Sequence, residues 1–371
     1  MSSPREPSPR EPSPRAPTGG RRASLRREVP YTVGVTGKTP RRPTITDVAN
    51  ASGVSRGTVS RVLNGGHWVS PEAREAVERA IRQTGYRINP HARSLATSRA
   101  NSIAFLLTES QERLFEDPNF SALMRGASDS LAERDLPLVL LLAGSPDDQR
   151  RVTDFITAGH VDGALVVSSH RGRDSFLKTL VDSKVPLVAC GAPLDFERRI
   201  GYVAADEVGG ARDMVAHLRS TGRSRIGTIA GPQDTPGGIG RLEGYREELG
   251  DAFDAQLVVE GDYSLASGAA AMQQLLERAP GIDAVFVAND MMAAGAIEVL
   301  QGRGIRIPDD IAIAGFDDAP IASRVTPALT TVRQPFERIA SEMVRMLLDV
   351  IEGRPGGRIL LPTELVLRDS A

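Results

Sequence analysis

The 371-residue chain reads as two architectures in series: a small all-α headpiece, then a two-lobed α/β body built on parallel sheets. Three observations predict this. Between Thr44 and Gly85 the sequence carries start and stop signals for three short helices, with a glycine turn between the first two. Beyond Asn101, short apolar runs recur about every 25 to 40 residues, with amphipathic stretches between them. Such runs are the mark of parallel strands covered by helices on both faces. Finally, about 270 residues are long for one such sheet, so the body divides into two lobes.

The first segment, residues 1–43, repeats REPSP and continues into GGRRASLRREVP. It has too little apolar surface to offset the entropy of ordering, so it reads as a disordered Pro/Arg-rich tail, dispensable for the fold. The helical pattern starts at Thr44. Ile45, Val48 and Ala49 fall on one face of the first helix, and Thr46 suits its cap. Gly53 permits a sharp turn, and Ser55 suits the N-cap of the second helix. Within that helix Val59, Val62 and Leu63 keep i, i+3, i+4 spacing and form one inward stripe. The third helix has Ser70 as cap, Pro71 at its first position, Glu72 in its first turn and Gly85 as stop, with Ala73, Val77, Ala80 and Ile81 inward.

If that stripe turns inward, Arg56, Gly57, Ser60 and Arg61 face out, near the start of the second helix. That is where a recognition helix carries its reading residues. An arginine can donate two hydrogen bonds to guanine O6 and N7, Thr58, Ser60 and Asn64 have short polar groups suited to phosphates, and Ser55 is a further major-groove candidate. Gly57, without a side chain, lets the helix approach the base edges closely. Charge agrees: residues 1–99 hold 18 Lys plus Arg against 7 Asp plus Glu, while the whole chain carries −2. A basic front on an acidic body suits a polyanion partner.

The stretch TITDVANASGVSRGTVSRVLNGGHWVSPEAREAVERAIRQTGYRINPHARSLAT (Thr44–Thr97) resembles, without a gap, the headpiece of the LacI/GalR (lactose-repressor) family of bacterial transcription regulators. The resemblance implies a headpiece over 44–89 and a hinge helix and linker over 90–98, the hinge helix matching NPHARSLA (Asn89–Ala96). It implies hinge and minor-groove contacts at Asn89, Arg93, Leu95 and Ala96, with Leu95 wedged between bases at the operator centre. It continues more weakly to about Arg368 through DPNF, RLEGY, AND, GFDD and LTTVRQP. It thereby implies the two-lobed periplasmic-binding-protein-like (type I) fold over 102–371, dimerised through that domain. The first lobe is expected at about 102–204 plus 333–354, the second at about 205–332 plus 355–371.

Ligands of such folds sit at the carboxyl ends of the strands. Candidates for a small-molecule effector are Asn119, Phe120, Arg241, Asn289 and Asp317. Asn289 and Asp317 can share the hydroxyl hydrogens of a polyol, Arg241 offers a planar fork, and Phe120 can stack on a ring. Asn289 and Asp290 also suit a cap for the following helix, Asp317 and Asp318 a turn, and Met291 and Met292 the core. Two features depart from the sugar-responsive pattern. Gly191, Ala192 and Pro193 follow the strand PLVAC where an acidic residue often stands, and GPQDTPGGIGR is rich enough in glycine to leave one cleft wall open.

The expected protein is a repressor: a homodimer on pseudo-palindromic double-stranded operator DNA, tuned by a carbohydrate-like effector. No cofactor or metal is expected, since Cys190 is the lone cysteine and the five histidines lack ligand spacing. An enzyme would need a proton-transfer pair that the motifs do not supply, and a transport receptor a signal peptide. An architectural DNA protein with a vestigial cleft is the remaining alternative. No apolar run approaches the roughly 20 residues of a membrane helix. The expected location is the cytoplasm, on the nucleoid when bound to DNA.

Overall fold

In the computed structural model, which describes residues 41, 43–63, 68–86, 99–172 and 175–371, the headpiece starts two residues earlier than the expected cap. Helix α1 is Ile45–Ser52 and its cap is Thr44, not Thr46. The Asp47 carboxylate accepts hydrogen bonds from the Thr44 N–H (2.7 Å) and hydroxyl (2.8 Å), closing the first turn from both sides. Gly53 ends the helix at φ 73°, a conformation that glycine enters without penalty. Helices α2 (Arg56–Leu63) and α3 (Pro71–Thr84) follow. Val48, Val59 and Val77, one from each helix, are fully buried against each other, with Ala49, Val62 and Ala80 around them. At about 1.5–3 kcal/mol for each large aliphatic side chain, this small stripe accounts for most of the driving force for the headpiece. Residues up to 87 form one compact unit and those beyond it another. The tail over 1–43 lies outside the described residues except at positions 41 and 43, and the hinge over 90–98 lies outside them altogether.

The second unit opens with β1 (Ile103–Leu107), α4 (Gln111–Glu116), α5 (Pro118–Ala132), β2 (Leu138–Leu142), α6 (Pro146–Thr157), β3 (Gly163–Val167), α7 (Ser175–Asp182), β4 (Leu187–Cys190) and β5 (Gly201–Ala205). Next come α8 (Glu207–Ser220), β6 (Ile226–Ala230), α9 (Pro236–Leu249), β7 (Val258–Glu260), α10 (Leu265–Arg278), β8 (Ala284–Val287), α11 (Asp290–Gly302) and β9 (Ala312–Ala314). It closes with β10 (Thr331–Arg333), α12 (Phe336–Ile351), β11 (Arg358–Leu361) and β12 (Glu364–Val366). The first lobe is a six-stranded parallel sheet in the order β11-β5-β4-β3-β1-β2, the second a four-stranded parallel sheet β7-β6-β8-β9.

Each sheet has an apolar layer on both faces. In the first lobe α5 and α12 cover one side through Leu123, Leu131, Ile339 and Leu347. Val152, Ile156, Leu177 and Leu180, from α6 and α7, cover the other. The second lobe repeats the arrangement with α10 and α11 on one face and α8 and α9 on the opposite one. β10 and β12 form a separate antiparallel pair. The chain therefore crosses between lobes three times, after β5, between β10 and α12, and after β11.

Two expectations need correction here. Residues 355–371 do not all join the second lobe: β11 pairs in parallel with β5, so 358–361 complete the edge of the first sheet and only the segment from β12 onward returns. Nor does GPQDTPGGIGR form an open wall. Pro236 starts α9, and three glycines of the stretch are closely packed, since a Cβ on Gly231 would collide with the Tyr263 ring, one on Gly238 with the Pro232 carbonyl and one on Gly240 with the Glu207 side chain.

Candidate functional site

The first candidate surface is the outer side of α2. Ser55 accepts a hydrogen bond from the Thr58 N–H at 3.1 Å, so it caps the helix, and its hydroxyl lies 3.0 Å from that of Thr58. Burial of Val59 and Val62 leaves Arg56, Gly57 and Arg61 exposed, with Thr58 and Ser60 half-buried beside them. Gly57 has no positive φ, and a Cβ there would meet only the Ser55 hydroxyl, at an ordinary 3.6 Å. The backbone thus does not require glycine at this position. Asn64, Asn89, Arg93, Leu95 and Ala96 lie outside the described residues.

The second candidate is a cleft between the carboxyl ends of the two parallel sheets of the body, where strand ends converge on one cavity. Its volume is about 360 Å3. Glu109 reaches it from the β1–α4 loop, Ser168 and Ser169 from the end of β3, Glu207 from the start of α8, Tyr263 from beyond β7, Asn289 from β8 and Asp317 from β9. Phe120 and Asn119 come from the first turn of α5. All five residues expected to bind effector therefore line a single cavity.

Arg241 is its hub. Only 6% exposed, it donates through Nε to Glu207 at 2.7 Å and through Nη1 to the Ala288 carbonyl, and its Nη2 lies 3.1 Å from the Asp317 carboxylate. Its guanidinium rests over the Phe316 ring, 3.9 Å from the centroid. Asp317 also accepts from Asn119 Nδ2 and Gln334 Nε2, each at 2.7 Å. Since Asn119 belongs to the first lobe and Asp317 to the second, that bond spans the cleft. The backbone of Asp317 sits at φ 111°, which costs on the order of 1–3 kcal/mol in a residue with a side chain. The surrounding hydrogen bonds hold it there.

Burial raises the carboxyls of Glu207 and Asp317 above their usual range, although Arg241 opposes the shift in both. Desolvation disfavours the Arg241 cation, but Glu207 and Asp317 more than restore it. Desolvation likewise pushes the Cys190 thiol up to about 12, so it faces the cavity as a neutral group. Asn289 does two things at once. Its Oδ1 accepts from the Met292 N–H at 2.9 Å, capping α11, and its Nδ2 donates to the Tyr263 carbonyl at 3.1 Å. Met292 is core, as expected, and Met291 half-buried.

Several cavity residues escaped the sequence reading: Glu109, Arg113, Ser169, Glu207, Tyr263 and Gln334. Each follows a strand or lies in the first turn of a helix, so the strand-end rule nominates them, and only Gln334 also falls within a motif of the resemblance, LTTVRQP. Ser169 Oγ is buried and meets no hydrogen-bond partner among the described residues. Beside the cavity a second hollow of about 680 Å3 shares Glu109, Arg113 and Tyr263 with it. Among the described residues no cluster of His, Cys, Asp and Glu could hold a metal ion, and no helix is long and apolar enough to cross a membrane.

Comparison with known proteins agrees with both halves of this picture. Residues 44–89 match the model for bacterial regulatory proteins of the lacI family, and residues 215–371 that for a periplasmic binding protein-like domain. The chain is 43% identical over 336 residues to the HTH-type transcriptional regulator CelR of Thermobifida fusca, covering 89% of this chain and 98% of that one. A solved CelR–cellobiose complex superposes with a TM-score of 0.72 at 42% identity, over 89% of this chain and all of the other. A lac repressor dimer bound to operator and the anti-inducer ONPF reaches 0.78 at 28% identity, over 89% and 99%.

Proposed function

The chain belongs to the lacI family of bacterial regulatory proteins, and on that premise we propose that it is a repressor working as a homodimer on a pseudo-palindromic operator. Arg56 and Arg61 read base edges in the major groove. Ser55, Thr58, Ser60 and Asn64 hold phosphates, and Gly57 sets how closely α2 approaches. Asn89, Arg93, Leu95 and Ala96 are the proposed hinge contacts, in a domain division of headpiece 44–89, hinge 90–98 and body from 102. The protein acts in the cytoplasm, on the nucleoid, and the proposal assigns it no catalysed reaction.

The effector is a neutral carbohydrate held by Asn119, Phe120, Arg241, Asn289 and Asp317. The observation that carries this is the buried Ser169 hydroxyl, without a partner among the described residues, in a cavity of disaccharide scale. A buried unsatisfied hydroxyl costs about 1–3 kcal/mol, which a ligand hydroxyl would recover. Charge narrows the class: Glu109, Asp117, Glu207 and Asp317 outnumber Arg113 and Arg241 in the lining. An anionic ligand would face net repulsion, whereas sugar hydroxyls can donate to the carboxylates. Glu109 and Glu207 supply acidic groups that Gly191 does not. The cellobiose bound by the related CelR makes a β-linked glucose disaccharide the first choice.

The test is to select an operator from random DNA with the full-length protein, then titrate that complex with cellobiose and with glucose. Cellobiose should change operator affinity about 5- to 150-fold, in either direction, and glucose far less. Failure to select any sequence would overturn the regulator reading. A selected operator indifferent to cellobiose and to a wider panel of neutral sugars would overturn the effector reading.

A further inference from the structure

At the rim of the cleft, His170 sits between two carboxylates, one from each lobe. Its Nε2 lies 2.9 Å from Glu109 Oε1, in the β1–α4 loop, and its Nδ1 lies 3.0 Å from Asp234 Oδ2, in the loop between β6 and α9. Glu109 also accepts from the Ser168 hydroxyl at 2.5 Å, and the Arg171 N–H donates to the Asp234 carbonyl at 2.8 Å. The side chains are sheltered, His170 retaining 12% and Glu109 17% of their accessible surface, Asp234 29%.

Hydrogen-bond chemistry dictates the charge of this ring. A neutral imidazole has one N–H and one lone pair, whereas an ionised carboxylate only accepts. With a carboxylate at each nitrogen, a neutral ring would turn its lone pair toward one of them. Only the imidazolium donates on both sides. We propose that His170 is a proton-operated clasp and positioning residue: as an imidazolium it ties Glu109 of the first lobe to Asp234 of the second, so closing the cleft takes up a proton.

Glu109 lines both the inner cavity and the outer hollow, so the clasp also orients a carboxylate toward bound effector. The other charged groups lining the hollow that His170 shares are Glu112, Arg113, Glu116, Glu260 and Asp262. Acids outnumber Arg113 among them and add to the field favouring the cation. The bond to Glu109 raises the His170 pKa above its ordinary value despite desolvation, and Asp234 adds to the shift. Reciprocally, the bonds from His170 and Ser168 hold Glu109 low against its own desolvation. Opening the lobes takes Asp234 away from His170 and keeps the bond to Glu109, which lies in the same lobe. A histidine raised in the closed form stabilises that form fully below its open-form pKa, and the stabilisation fades as pH rises through the closed-form value. Two further bonds span the lobes, from Asn119 Nδ2 to Asp317 and from Arg113 to the Asp262 carbonyl.

The consequence for ligand affinity rests on the effector reading above, so the experiment has two arms on the full-length protein. Calorimetric titration with cellobiose between about pH 6 and pH 8.5 should show affinity falling with rising pH, by at most roughly tenfold per pH unit, with proton uptake on binding. His170→Gln and Asp234→Asn should bind with little dependence on pH, while circular dichroism spectra and thermal midpoints close to those of the wild type show them folded. The second arm needs no ligand: the NMR titration of the His170 ring should have a midpoint above that of an exposed histidine and shift down in Asp234→Asn. A His170 midpoint at the ordinary value, unmoved by Asp234→Asn, would overturn the clasp. So would a wild-type pH profile shared by both variants. If cellobiose does not bind at any pH, the effector assignment falls and the ring titration still decides the clasp.

Discussion

The headpiece and the cleft place their functional residues in opposite environments. On α2 the arginines proposed to read bases, Arg56 and Arg61, stand exposed, and the three helices are held by a separate stripe around Val48, Val59 and Val77. In the cleft the same side chains that would grip a ligand also hold the protein together. Arg241 and Asp317 are buried, bonded to each other and to Glu207, Asn119 and Gln334. Specificity for DNA can therefore be changed at α2 with little cost in stability, whereas a change of effector disturbs the cross-links within and between lobes.

The sharpest way to break this contrast is Arg241→Ala. Removing one cation leaves Glu207 and Asp317 buried without it, and losing one partner of a buried pair costs about 3–5 kcal/mol. Urea unfolding of the body should show that loss together with loss of effector binding. A normal unfolding midpoint with effector binding alone abolished would dissolve the distinction. Gly244→Ala comes next, because its Cβ would press on the Val208 carbonyl where α9 meets α8. A stability loss of about 1–3 kcal/mol is expected from such overpacking, read as a lower thermal midpoint.

Arg61→Ala should leave unfolding within about 0.5 kcal/mol of wild type. It should cost about 1–3 kcal/mol of discrimination between operator and random DNA. Equal losses on both DNAs in a binding assay would make Arg61 a phosphate contact instead. The smallest effect belongs to Gly57→Ala, which has room for its methyl group. It should stabilise the headpiece by at most about 0.5–1 kcal/mol, measurable by denaturation, while Gly57→Gln changes the sequence recovered by operator selection. Recovery of the same operator would leave Gly57 without a role in reading.

How much could be read in advance follows the same divide. Val59, Val62 and Leu63 announce their helix and its outward face through local spacing. The strands IAFLL, GALVV and AVFV announce themselves through continuous apolar runs, and the resemblance to known repressors located Asn119, Arg241, Asn289 and Asp317 within one cavity. Thr44 and Thr46 are equally good caps by residue type, and only the reach of Asp47 back to Thr44 chooses between them. Gly240 reads as part of a loop because nothing local reveals that Glu207 and Val208 of α8 press against it.

By itself the sequence determined the two architectures, the helix faces and the strand cores, since these depend on periodicity and on contacts a few residues apart. Only the tertiary structure decided that β11 closes the first sheet rather than joining the second lobe. It alone brought Glu109, His170 and Asp234 together from positions more than 60 residues apart. The physical reason is that such contacts are set by chain crossings and by the fit of whole layers. No local pattern of residues encodes them.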